Sequence, residues 1–93
     1  MVEPLDPAAA KRLIMEILET GTWVSTDHAR IEMGKDGMSD QDVINVLRGG
    51  VVGPAEWENG RWRHHVRTGR MERVVQLESE TELRLITAWR LKR

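Results

Sequence analysis

The sequence predicts an α+β domain, with three N-terminal helices packed on one face of a four-stranded antiparallel β-meander. Two observations carry that expectation. Apolar residues recur at helical spacing as far as residue 49, and from Val51 onward they alternate with a period of two. Within the alternating half, Asn59-Gly60 is a strong short hairpin signal. With 93 residues the chain has surface for one modest core, so a single domain spans 1–93, with 1–5 as a loose tail.

Asp6-Pro7 reads as an N-cap followed by proline at the first helical position, where its missing N–H costs nothing. The first helix then runs from about Pro7 to Thr20. Leu13, Ile14, Ile17 and Leu18 make its apolar stripe, Lys11, Arg12, Glu16 and Glu19 face water, and Gly21 stands where a left-handed C-cap belongs. Thr26 or Asp27 caps a short second helix from His28 to about Lys35, ended by Gly34 and Gly37. Ser39-Asp40-Gln41-Asp42 resembles a capping box and opens a third helix, which carries Val43, Ile44, Val46 and Leu47 and stops at Gly49-Gly50.

A two-residue type I′ turn at Asn59-Gly60 sets the register of the first hairpin, with one strand over 51–58. Trp57 then opposes Trp62 on one side, while Glu58 meets Arg61, Glu56 meets Arg63 and Pro54 meets His65 on the other. A turn near Thr68-Gly69 leads to a strand from about Glu72 to Glu78, and a loop at Ser79 to Thr81 returns the chain through Glu82 to Arg90. That last register pairs Leu77 with Leu83 and Val75 with Leu85, whereas a slip of one would push Arg84 into the core. Trp57, Trp62, Val66, Val75, Leu77, Leu83 and Leu85 therefore face the helices. The open face collects Arg61, Arg63, His65 and Arg67, then Glu72, Val74 and Gln76, then Arg84, Ile86 and Arg90.

Charge is divided along the chain. Residues 1–59 hold five Lys/Arg against eleven Asp/Glu, a net of -6, and residues 60–93 hold nine against four, a net of +5. A basic sheet surface carrying histidine suggests a phosphate-bearing ligand, RNA first, while the acidic helices argue against broad binding to duplex DNA. The absence of cysteine excludes disulfides and thiolate zinc sites, and three scattered histidines are poor metal ligands, so no metal or cofactor is expected. No apolar run approaches the roughly 18 residues of a membrane span, and no secretory signal opens the chain. A cytoplasmic protein without membrane partners is the expectation.

The order of motifs resembles a small bacterial domain family of unassigned function, itself similar to the RelE-type and MqsR-type mRNA interferase toxins of toxin-antitoxin pairs. The resemblance covers about residues 8–90. It rests on His28-Ala29-Arg30, Met38-Ser39-Asp40-Gln41-Asp42-Val43, the Gly49-Gly50 stop, Arg61-Trp62-Arg63 and Ile86-Thr87-Ala88-Trp89. It implies a metal-independent endoribonuclease that cuts single-stranded or ribosome-bound mRNA by 2′-hydroxyl attack, masked by a cognate antitoxin protein. The family's helix usually reads H-A-x-x-R-M, and here Glu32 stands in place of that Arg, before Met33. This either removes one phosphate contact or leaves Arg30 and Lys35 to replace it.

Such chemistry needs a proton acceptor, a proton donor and cations for the phosphorane. Histidine titrates near neutrality and arginine holds two phosphate oxygens at once. His65, His28 and Arg63 are accordingly the catalytic candidates, and Arg61, Arg67, Arg70, Arg84 and Arg30 the RNA-binding ones. Each has a plainer reading. His64 should point toward the helices as a structural residue, and a bulge would exchange it with His65. His28 can simply cap or pack a first turn. Arg61 and Arg63 face Glu58 and Glu56 across the hairpin, although such pairs contribute only about 0.2 to 1 kcal/mol and yield to a phosphate. Arg73 can snorkel, and Trp89 fits the core better than a base stack. The rival function is a non-catalytic RNA-binding or protein-interaction module using the same face, or an edge strand, 51–58 or 82–90, that adds a partner strand.

Overall fold

The computed structural model describes residues 1–90, without the side chains of Trp89 and Arg90. Its elements are α1 (Pro7–Thr20), β1 (Thr22–Ser25), α2 (Asp27–Lys35), α3 (Asp40–Gly49), β2 (Val51–Val52), β3 (Glu56–Glu58), β4 (Arg61–Arg67), β5 (Met71–Leu77) and β6 (Glu82–Arg90). The α+β class and the number of helices are as expected, but β1 falls between α1 and α2, so the helices do not precede the sheet as a block, and the sheet has six strands, one of them parallel to its neighbour, rather than a four-stranded antiparallel meander. Their order is β1-β6-β5-β4-β2, with β3 paired to β4 off that path. No helix among the described residues is long and apolar enough to cross a membrane.

The helix ends follow local chemistry. Asp6 accepts from the Ala9 N–H at 2.8 Å, Thr26 accepts from the Ala29 N–H at 3.1 Å, and Ser39 and Asp42 complete a reciprocal capping box. Gly21 departs from the expectation: its φ of -102° is ordinary extended backbone. Glycine is required there by proximity, since a Cβ would lie 2.4 Å from the Thr81 carbonyl oxygen. That contact leads directly into β1, which runs parallel to β6 with Thr22 opposite Glu82. Lys11 also departs from its expected exposure. Its ammonium donates to the carbonyls of Leu47, Arg48 and Gly50 at 2.9, 2.6 and 2.9 Å, where α3 leaves its last carbonyls without helical partners.

The Asn59-Gly60 turn forms with both residues at positive φ, 51° and 78°, and sets Trp57 against Trp62 and Glu56 against Arg63. The expected strand over 51–58 is broken, however. Val52 pairs with Val66 and Glu56 with Arg63, so Gly53, Pro54 and Ala55 stand opposite only His64 and His65. Proline has no N–H for the ladder, and the extra residue removes the expected pairing of Pro54 with His65. Because β3 pairs only with β4, Trp57 is 62 % exposed rather than turned to the helices. Its indole instead meets Trp62 edge-on, with centroids 5.1 Å apart.

In β5 and β6 the register is as expected for Leu77 with Leu83 and Val75 with Leu85. A bulge follows, because Val74 pairs with Thr87 and leaves Ile86 extra. The carbonyl of Ile86 accepts from the Thr26 hydroxyl at 3.0 Å, and the shift in alternation brings Ala88 into the core. That core joins Ala10, Ile14 and Ile17 of α1 and Val43 and Leu47 of α3 to Val66, Val75, Leu77, Leu83 and Leu85 of the sheet. Leu5 packs against it, so the expected loose tail is held at its end nearest α1. Arg73 is wholly buried on the helix side instead of snorkelling, with its guanidinium donating to the Met38 sulfur at 3.0 Å and the Glu72 carbonyl at 3.1 Å.

Candidate functional site

The strand β4 presents Arg61, Arg63, His65 and Arg67 on the side away from the core, because successive side chains alternate. His64 takes the opposite side, fully buried, with its Nδ1 3.4 Å from the Gly53 carbonyl. The bulge at 53–55 therefore does not exchange the two histidines. It lies on the neighbouring chain segment and leaves the alternation of β4 intact.

His65 is enclosed by carboxylates. Its Nε2 lies 2.8 Å from Glu58 and 3.3 Å from Glu56, both delivered from β3 by the hairpin register, and its Nδ1 lies 3.4 Å from Glu72 on β5. Neutral imidazole has only one N–H, so it would turn a lone pair toward one of these carboxylates. The protonated ring donates at both ends. Partial burial is the largest single influence and opposes charging. The hydrogen bond to Glu58, the charges of Glu56 and Glu58, and the bond to Glu72 outweigh it and raise the His65 pKa. Glu72 itself is only 4 % exposed and is clasped by the Arg67 guanidinium.

This cluster opens onto a cleft of about 640 Å³, lined by Glu56, His65 and Arg67 together with Gly49, Val51, Gly53 and Pro54 and the turn at Thr68-Gly69. The expected basic face is thus a mixed one. Arg61 pairs with Glu78 at 3.0 Å, Arg84 with the same carboxylate at 3.3 Å, and Arg63 lies 3.9 Å from Glu58 and donates to Gln76 at 3.3 Å. Burial opposes ionisation of Glu78, but hydrogen bonds from Gln76 and Arg61 and the charges of Arg61 and Arg84 hold its carboxyl below the ordinary range. Arg70 is exposed at the β4–β5 turn.

The other candidates lie apart from His65. His28 is in the first turn of α2, which packs on β6 and β1 rather than on β4, and its ring is 3.9 Å from Glu32. Glu32 therefore neighbours His28 one turn along the same helix. Arg30 is bound to Asp40 at 2.7 Å and lies 6.0 Å from the Trp23 ring. Trp89 and the side chain of Arg90 lie outside the described side chains, and Lys92 and Arg93 outside the described residues.

The site residues that the sequence reasoning missed are Glu56, Glu58 and Glu72. The hairpin register places Glu56 and Glu58 on the face of His65, and strand alternation places Glu72 there as well. Opposite Arg63 and Arg61 in that register, Glu56 and Glu58 present themselves first as partners of arginine. No family model, no curated protein and no solved structure matches this chain.

Proposed function

We propose that this protein is a metal-independent endoribonuclease acting on single-stranded RNA, and that it is the toxin of a type II toxin-antitoxin pair. The observation that carries the enzymatic reading is His65, set among carboxylates at a cleft that Arg67 also lines. Glu56, 54 % exposed, is the carboxylate able to swing aside for a substrate. In the proposed reaction its oxygen takes the proton of the 2′-hydroxyl, which attacks the adjacent phosphorus. The imidazolium of His65 returns a proton to the departing 5′-oxygen, leaving a 2′,3′-cyclic phosphate and a 5′-hydroxyl. Arg67, 60 % exposed, exchanges its hold on Glu72 for a phosphoryl oxygen, and Arg63 adds positive charge behind the cluster. The toxin reading rests on the sequence resemblance and brings with it mRNA as target and an antitoxin that covers the cleft.

A second reading is favoured by one observation. Arg61, Arg63, Arg67 and Arg84 each have a carboxylate within 4 Å, so the open face presents little unopposed positive charge to a polyanion. A non-catalytic module that binds a short mixed-charge protein segment uses that balance directly. Incubation with a labelled single-stranded RNA in EDTA separates the two. Cyclic-phosphate ends support the ribonuclease, whereas intact RNA supports the module, one that binds protein if the RNA is not retained and one that binds RNA if it is retained in a salt-sensitive way.

A further inference from the structure

We infer that Glu56, Glu58 and His65 form a binding site for a divalent transition-metal ion such as zinc, and that its occupancy switches off the cleft. One nitrogen and two carboxylate oxygens, each from a different side chain, lie within 4.8 Å of one another. Tetrahedral zinc with ligands at about 2.0 to 2.2 Å places its ligand atoms roughly 3.3 to 3.6 Å apart. The separation of His65 Nε2 from Glu56, 3.3 Å, already matches that edge. Its 2.8 Å separation from Glu58 is a hydrogen-bond length, and it opens by roughly 0.5 to 0.8 Å when the ion replaces the proton between them.

The set differs from a surface acidic patch in three respects. One ligand is an imidazole, for which zinc has far more affinity than calcium or magnesium does. Behind it, Glu72 faces Nδ1 from a site only 4 % exposed, so the nitrogen on the far side of the ring is aimed at the two glutamates; a carboxylate behind a ligating histidine is the usual device for fixing ring and tautomer. Third, the protein supplies three ligands and the cleft lined by Glu56 and His65 leaves a fourth position open to water. The hairpin makes the arrangement stiff, because Glu56 and Glu58 alternate onto one face of β3 and the positive-φ turn at Asn59-Gly60 locks them beside β4. Glu56, Glu58 and Glu72 also outnumber Arg63 and Arg67 in the immediate surroundings, which favours a cation.

Ion binding stands on this geometry alone, while its effect on cleavage rests on the ribonuclease reading: the ion occupies both the proton acceptor and the proton donor. The test is titration of the EDTA-stripped, dialysed protein with zinc chloride, followed by calorimetry and by thermal denaturation, for wild type, Glu56→Gln, Glu58→Gln and His65→Gln. Circular dichroism establishes that each variant is folded, and Glu56→Gln, at an exposed position, keeps the test valid even where His65→Gln unfolds. The expected result is one ion per chain, a rise in melting temperature for wild type, and affinity at least tenfold weaker in each folded variant, with calcium giving no comparable rise. Absence of zinc binding, equal affinity in wild type and variants, or calcium binding as tightly as zinc would overturn the site. Zinc bound as expected to a protein that cuts no RNA would leave the ion site standing and remove the ribonuclease, and cleavage undiminished by bound zinc would remove the switch.

Discussion

Glu72 Oε2 faces His65 Nδ1 across the β4–β5 ladder at 3.4 Å, and the other oxygen of the same buried carboxylate is held by Arg67. Glu72 thus links the open-face histidine to the guanidinium at the cleft. Glu72→Gln should keep the shape while weakening both bonds. Arg67 remains exposed enough to hydrate, so the expected loss of stability is about 1 to 2 kcal/mol, read from the midpoint of urea unfolding. If His65 is oriented through Glu72, RNA cleavage falls by much more than that loss of stability would cause.

Lys11 provides a prediction about folding alone. Its three hydrogen bonds to the carbonyls at the end of α3 join the first and third helices, and burial lowers the pKa of its ammonium. Lys11→Met retains the aliphatic stem and removes the donors. The expected cost is about 1.5 to 3 kcal/mol, a fall in melting temperature on the order of 10 °C for a domain of this size, measurable by calorimetry.

Gly21→Ala tests the close approach that admits β1 to the sheet. The new Cβ meets the Thr81 carbonyl at 2.4 Å, against backbone that cannot rotate away. Destabilisation of about 1 to 3 kcal/mol is expected, with the amides of 22–25 losing protection from hydrogen exchange first.

The sign of the pH dependence at Glu78 follows from its depressed pKa. Its stabilisation is fully present above the ordinary carboxylate value of about 4.3 and is lost as pH falls through the lower value of the folded state. Wild type should therefore be more stable than Glu78→Gln at pH 7, and the gap should close by pH 2. Urea unfolding at the two pH values measures it.

Much of this architecture is legible in the residues. Asp6-Pro7, the Ser39 capping box and Asn59-Gly60 act through contacts a few residues long, and each forms where it was expected. The pairing of Leu77 with Leu83 is similarly local. By contrast, β1 pairs with a segment sixty residues away, and nothing within Thr22-Trp23-Val24-Ser25 announces a parallel partner. The bulge at Ile86 likewise coincides with a distant contact, the hydrogen bond from the Thr26 hydroxyl to the Ile86 carbonyl. At the candidate site, alternation correctly places His65 outward. The hairpin brings Glu56 and Glu58 of the acidic half beside His65 of the basic half, and Glu72 of β5 completes the cluster; alternation gives the shared face, whereas which charges close on the histidine depends on side-chain packing across three strands.

In the proposed reaction His65, in its carboxylate cluster, donates the proton to the departing 5′-oxygen. The most direct measurement is the rate of cutting of one labelled single-stranded RNA in EDTA, and of the same message on translating ribosomes with free magnesium, by wild type and by His65→Gln. Cleavage by wild type that leaves a 2′,3′-cyclic phosphate, slowed about 100-fold or more in a folded His65→Gln protein, is the predicted result. Equal rates for the two proteins, or no cleavage by wild type in either setting, would contradict it.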